Sequence, residues 1–264
     1  LQYLEFNNIS NYRETLFNNA KDFYNKDAFL LYSMDISGIQ NFIYTIQSQN
    51  ALKTLRARSY YLEIMMEHII DCLLDKVNLS RANLIYVGGG HCYILLPNTQ
   101  EIIKVLDEYE KDLNAWFIDN FDVDLYIATA YVEASANTLQ NIPEESYSQL
   151  FRDLSAKLGN KKLNRYSAKD IIKLNSLKHK DNTRECKTCK RCVKVNENNI
   201  CDFCANLLEF SKDILHKKFY VVVRDKEKNS LPLPNNSYIL LENKDELLKR
   251  IKNSEHSEES TYVR

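Results

Sequence analysis

The sequence predicts an α+β fold, and three observations carry the prediction: short aliphatic and aromatic runs that suit strands, longer stretches with apolar residues at helical spacing, and the order in which the two alternate. "AFLLYSM" runs into Asp35 and suits a strand buried on both faces. A short helix is expected over 38–46 and a long one over 55–74, where Leu62, Met65, Ile69, Cys72 and Leu73 share one side and Glu63, Glu67 and Asp71 the other. "NLIYV" and "HCYILL" flank Gly88, Gly89 and Gly90 and read as a hairpin stopped by Pro97 and Asn98. Residues 100–121, with Ile103, Leu106, Leu113, Phe117 and Phe121, form a third helix, and "DLYIATAYV" a last strand. This is the split βαβ order. It closes as a four-stranded antiparallel sheet with helices on one face, the ferredoxin-like form that palm domains also use.

On either side the signal is weaker. Residues 11–26 are polar, with Leu16, Ala20 and Phe23 on one side of a peripheral helix, and a connector after Val132 leads to a helix over 147–158. "LLEFSKDIL" and "KDELLKRIK" are helical, "FYVVVR" and "SYILL" are strands, and the polar tail over 253–264 is expected to be mobile. The expected division is a lead-in over 1–27, the ferredoxin-like domain over 28–142, a helical domain over 143–215 and a strand-rich connector over 216–264.

A hydrophobic content of 44%, a charged content of 27% and a net charge of -1 give no global pull toward nucleic acid or membrane. The longest uncharged window, 82–100, holds three glycines and a proline and is no membrane span. Charge is regional instead: residues 152–194 carry fourteen basic against four acidic side chains. They suit RNA phosphates or an acidic partner, with Tyr166 for stacking, or equally the solvated faces of helices. The chain opens on Leu1 without a basic-then-apolar leader and reads as a piece of a longer protein of the cytoplasm.

In a nucleotidyl-transferring palm, carboxylates on the first strand and the hairpin hold two magnesium ions that align the reacting oxygens. Asp35 stands at the first position, but the hairpin reads Gly88-Gly89-Gly90-His91 and supplies no second acid. A paired-metal site is therefore not expected. The glycines still let a phosphate or base approach the backbone, and Ser37, Gly38, Ile39 and Gln40 offer amides and short polar groups at a helix start. A plain hairpin turn and a helix cap explain the same residues, and His91 suits a turn or edge strand. Arg56 and Arg58, placed just ahead of the long helix, suit phosphate, a neighbouring acid or a helix-start salt bridge.

Of seven cysteines, Cys72 and Cys92 lie alone, while Cys186, Cys189, Cys192, Cys201 and Cys204 fall within nineteen positions. Two CxxC pairs, Cys186/Cys189 and Cys201/Cys204, separated by eleven residues, suit one tetrahedral zinc, with Cys192 as the spare. The CxxCxxC run also allows an iron–sulfur cluster, but its fourth cysteine and proline are missing; free or redox thiols are the bland alternative. Four thiolates leave no open position for water, so such a zinc is structural.

Together, "MDISGIQNFIY", "LRARSYYLE", "IYVGGGHCYILLP" and "ECKTCK…ICDFC" resemble the large, palm-containing subunit of type III-A CRISPR effector complexes, over about residues 30–224. The resemblance implies two facing palms with a zinc-bearing helical domain between them in sequence. It further implies conversion of ATP, with magnesium, into cyclic oligoadenylates on target RNA binding, and an HD domain that cuts single-stranded DNA. Asp35, Ser37, Gly38, Ile39, Gln40, Gly88, Gly89 and Gly90 would line one of two ATP pockets, and Cys186, Cys189, Cys201 and Cys204 would hold the zinc. The HD motif and the GGDD-type hairpin of the second palm are not in this sequence. The chain therefore reads as a middle fragment, inactive alone, whose first palm is a noncatalytic ATP half-site and whose last strands lead toward the second palm. Its expected partners are ATP, that second palm, other effector subunits, crRNA and target RNA. A purely structural docking scaffold is the alternative.

Overall fold

A computed structural model describes residues 1–45, 50–176, 184–254 and 262–263. They group into two compact units, Leu1–Gly38 with Ile70–Ile171 and Ile39–Ile69 with Ile172–Arg264. Most of the tail expected to be mobile, and Lys178, Lys180 and Asp181 of the basic run, lie outside the described residues.

The first unit begins with α1 (Gln2–Phe6), a π-helical turn (Glu14–Asn18) and α2 (Ala20–Tyr24), where one helix over 11–26 was expected. Asparagines explain the interruption: Asn11 Oδ1 accepts from the Glu14 amide at 3.1 Å and Asn25 Nδ2 donates to the Lys21 carbonyl at 3.0 Å, offering the backbone alternatives to a continuous helix. Along the chain follow β1 (Phe29–Ser37), α3 (Ile39–Tyr44), α4 (Ala51–Lys76), β2 (Leu84–Gly88), β3 (His91–Pro97), α5 (Gln100–Phe121) and β4 (Tyr126–Ala134), of which α3 and the part of α4 before Ile70 belong to the second unit. The four strands are antiparallel in the order β2-β3-β1-β4. Register sets Asp35 opposite His91 on one side and Ala128 on the other.

Thr99 Oγ1 caps α5 by accepting from the Ile102 amide at 3.3 Å. Asn114, further along, exchanges two hydrogen bonds with the backbone of Ile127, at 2.9 and 3.1 Å, which ties α5 to β4 and satisfies part of an open strand edge. Asp71 departs from its expected place on the polar side of α4: it is buried and holds Arg81 at 2.7 Å.

A short α6 (Ala136–Leu139) interrupts the expected connector, and α7 (Ser146–Leu163) and α8 (Ala168–Ser176) follow. α7 packs on the sheet: Leu150, Leu154 and Leu158, four residues apart, meet Leu31, Tyr126, Ala128, Ala130 and Val132. Alternate positions of β1 and β4, among them Tyr32, Met34 and Ile127, are buried as well, so the sheet is covered on both faces rather than one. The alanines of β4 make this possible, because their small side chains let the leucines of α7 approach.

The second unit contains α9 (Asp202–Asp213), β5 (Phe219–Val223), β6 (Leu231–Leu233), β7 (Ser237–Glu242), α10 (Lys244–Ser254) and β8 (Tyr262–Val263), with antiparallel strand order β6-β7-β5-β8. The sequence reading missed β6 and β8, which are too short to show alternation; Pro232 is tolerated because β6 is an edge strand. Arg250 grips both Glu227 oxygens, at 2.6 and 3.0 Å, and Glu242 at 2.6 Å, fixing α10 to the strands.

Candidate nucleotide site and metal centre

At the hairpin tip, Gly89 (φ +60°) and Gly90 (φ +79°) take the left-handed conformations that a tight two-residue turn requires. The Ile36 amide donates to the Gly90 carbonyl at 2.9 Å, seating the tip against the end of β1. Asp35, Ser37, Gly88, Gly89 and Gly90 thus come together in the first unit. Gly38 closes β1 at φ +93°, and a Cβ there would lie 1.9 Å from the Asp124 carbonyl oxygen, so only glycine fits. Ile39 and Gln40 open α3 and belong to the second unit.

The aspartate is not free. Lys162 Nζ donates to Asp35 Oδ2 at 2.6 Å, and His91 Nδ1 lies 3.3 Å from the same oxygen. Burial pushes the Asp35 carboxyl up, but the hydrogen bonds and charges of His91 and Lys162 outweigh it and hold the group below its ordinary value. His91 opens the central strand β3 rather than an edge strand. Its other nitrogen, Nε2, is 3.3 Å from Ser33 Oγ, which donates to the Cys92 carbonyl at 2.8 Å. Tyr93 packs edge-on against the imidazole, with centroids 4.6 Å apart.

Lys162 was missed as a site residue. The signal was present: Leu150, Leu154 and Leu158 continue to 162 at the same interval, which puts a lysine on the stripe of α7 that faces the sheet. Neighbouring members of the basic run are also engaged within the unit. Lys157 donates to the Tyr131 carbonyl at 3.0 Å, Lys161 pairs with Glu110 at 2.7 Å, and Arg165 lies over the Tyr126 ring. These three are held by partners within the unit and are not a purely solvated face. Tyr166 packs on Tyr126, at 5.8 Å between centroids, and is not presented for stacking.

Arg56 and Arg58 lie inside α4 instead of ahead of it, because Ala51, Leu52 and Lys53 are good helix formers and nothing breaks the run before 55. Arg56 is exposed. Arg58 is buried, donates to the Phe42 carbonyl and lies over the Phe42 ring at 5.1 Å, a packing role rather than a salt bridge.

In the second unit Cys186, Cys189, Cys201 and Cys204 converge, with all four sulfurs within 4.8 Å of one another. Cys189 and Cys201 are 3.8 Å apart. A tetrahedron with metal–sulfur bonds of about 2.3 Å has edges of about 3.8 Å, so the donor set fits zinc in both chemistry and spacing. Hydrogen bonds from the other three thiols push Cys186 down. At Cys189, the upward push from Cys186 is outweighed by Cys201 and Cys204, leaving it at about 6. Contact with Cys186 and Cys189 pushes Cys201 and Cys204 up. Four thiols this close cannot all ionise without a cation. Cys192 is exposed and outside the cluster.

Residues 28–177 match the family model described as Csm1 subunit domain B, which is more than half of the chain. The chain belongs to the Csm1 family. A relative from Enterococcus italicus, described as the CRISPR system single-strand-specific deoxyribonuclease Cas10/Csm1 (subtype III-A), is 43% identical over 254 residues, covering 95% of this chain and 33% of its own length. The chain thus spans about a third of that curated relative. Among solved structures, a Csm1-Csm4 cassette in complex with AMPPNP aligns with a TM-score of 0.62 at 25% identity, over 84% of this chain and 26% of that one. A Csm1-Csm4 cassette in complex with cA4 gives 0.59 at 25%, over 83% and 26%. The α+β architecture with antiparallel sheets is shared with these structures. Among the described residues, no helix is long and apolar enough to cross a membrane.

Proposed function

We propose that residues 28–142 are the first, noncatalytic palm of a type III-A large subunit and supply one ATP half-site to an enzyme that makes cyclic oligoadenylates in the cytoplasm. The observation that carries this reading is the seating of the glycine turn against the end of β1, through the Ile36–Gly90 hydrogen bond, beside Asp35 and Ser37. A triphosphate is held there by main-chain groups at the end of β1, near Ser37 and Gly38, with the bare glycines of 88–90 admitting it closely. The AMPPNP and cA4 named for the related cassettes support adenylate as the ligand.

Residues 143–215 are the zinc-bearing region and 216–264 lead toward the second palm. Zinc, held by Cys186, Cys189, Cys201 and Cys204, is structural; magnesium acts at the second palm, where the acids absent here would stand. The parent assembles with other effector subunits, as the Csm4 of the related cassettes suggests, and with crRNA and target RNA. Its HD domain cuts single-stranded DNA, in keeping with the name of the Enterococcus relative.

The test is to incubate the full-length parent, assembled with its partners and target RNA, with ATP and magnesium and to identify products by mass spectrometry. Cyclic adenylates are expected, with lower yield when Gly90→Val closes the hairpin, and none from these 264 residues alone. Synthesis by these residues unaided would overturn the reading. Calorimetry silent to AMPPNP even with the second palm present would favour a docking scaffold.

A further inference from the structure

Asp35 sits where a palm's metal-binding acid would sit, yet its carboxylate already holds a cation that belongs to the chain. Lys162 Nζ is 2.6 Å from Oδ2, and both side chains remain partly open to solvent, at 35% and 25% exposure. The second acid of a two-metal pair is replaced by glycine and His91, and His91 turns to the same Asp35 oxygen at 3.3 Å. Three positions on separate elements, one on β1, one on β3 and one on α7, therefore build a charge cluster next to the glycine turn.

An ammonium has three N–H donors. Among the described residues Asp35 takes one from Lys162, and two remain to meet phosphate oxygens. The rest of the α7 stripe is clamped through Leu150, Leu154 and Leu158, so the lysine is delivered from a packed helix and not from a loop.

We propose that the Lys162 ammonium stands in this half-site for the divalent cation of a catalytic palm, so that a nucleoside triphosphate is held here without magnesium. The proposal deepens the nucleotide reading and rests on it. Asp35 acts as the holder of the lysine, positioning its two remaining donors toward the phosphates. Lys162 is a binding residue and carries no bond-making step.

The experiment is calorimetric titration of AMPPNP into the full-length parent chain, once with excess EDTA and once with magnesium. The wild-type chain is expected to keep one nucleotide site in EDTA. Lys162→Ala should weaken that site about 10-fold or more in EDTA, the size of a lost charge-assisted hydrogen bond. Magnesium should restore most of the loss, because the uncovered Asp35 and the phosphates can then share a cation. Lys162→Met, which keeps the aliphatic stem, should behave alike, and melting curves check that α7 stays docked. Matching isotherms for wild type and both variants in EDTA would overturn the proposal while leaving the nucleotide reading in place. So would a wild-type chain that binds AMPPNP in magnesium alone. A first palm that binds no AMPPNP under either condition would sink the nucleotide reading and the proposal together.

Discussion

The hairpin site of the first unit and the cysteine cluster of the second are both gatherings of polar side chains, but they depend on their surroundings in opposite ways. Asp35, His91 and Lys162 are placed by two central strands and a helix whose leucines are buried; removing any of the three leaves that framework standing. The cysteine cluster has almost no framework of its own. Its buried members are Cys186, Cys201 and Cys204, surrounded by half-buried Cys189, Val193, Val195, Ile200 and Phe203. Among the described residues two isolated bridges, Glu185 with Cys192 and Val195 with Cys201, and a few turn hydrogen bonds, such as the Cys186 amide donating to the Arg191 carbonyl at 2.9 Å, make up the pairing around it. One site is carried by its fold; the other carries its fold. Perturbing each should separate the two cases.

The largest effect is expected at the cysteines. Structural zinc sites bind with apparent free energies of about 10–16 kcal/mol near neutral pH, and that energy is folding energy where no apolar core can replace it. A chelator, or Cys201→Ser, should remove about one zinc per chain and open residues 184–204 to proteolysis. The sheet of the first unit should keep its hydrogen-exchange protection. Cys192→Ser, at the exposed spare, should leave metal content and protection unchanged. Iron absorbance in the purified protein would replace zinc with a cluster. Loss of sheet protection on chelation would erase the distinction between the two regions.

A smaller effect, inside the framework itself, is expected at Gly38. Alanine there meets the Asp124 carbonyl oxygen at 1.9 Å and takes φ +93°, so strain and overlap together should cost about 3 kcal/mol. Gly89→Ala is the contrast: φ +60° with nothing within 4 Å of the added methyl, for which about 1 kcal/mol of backbone cost is expected. Urea unfolding midpoints of the two variants measure the difference. Equal destabilisation would mean that the end of β1 is less rigid than its packing implies.

The same contrast explains what the sequence made legible. The four strands and long helices of the first sheet follow from periodicity, which reports burial by many neighbours at once. The metal cluster follows from spacing, because CxxC brings two thiols to one turn whatever surrounds them. Asp35 and the glycines could be named as site residues, but the partner of Asp35 could not be reached from either signal. Lys162 lies 127 residues away, and only the interval from Leu150 to Leu158 marks it as facing the sheet. The same gap hid the second covering face, since α7 looks from its sequence like part of the basic segment that leads to the cysteines. Short elements such as β6 were lost because three residues carry no period.

The smallest effect tests whether Asp35 is a structural charge or a tolerated one. Its folded carboxyl is held below the ordinary aspartate value of 3.8, so the pairing stabilises the fold fully above that value and is lost as pH falls through the lower, folded value. Both side chains are partly exposed and screened, which limits the contribution at neutral pH to about 1 kcal/mol. Asp35→Asn should therefore lower stability by about that amount near pH 7, and the gap between wild type and variant should close as the pH falls below the ordinary aspartate value and through the lower, folded one. Lys162→Met should show the share of the gap that His91 does not carry, and the double variant little more than Asp35→Asn alone, since the lysine pairing is already lost with the aspartate. A gap that stays constant into acid would assign the loss to the shape of asparagine in the strand and not to charge. Additive losses in the double variant would mean that lysine and aspartate are neighbours without being partners.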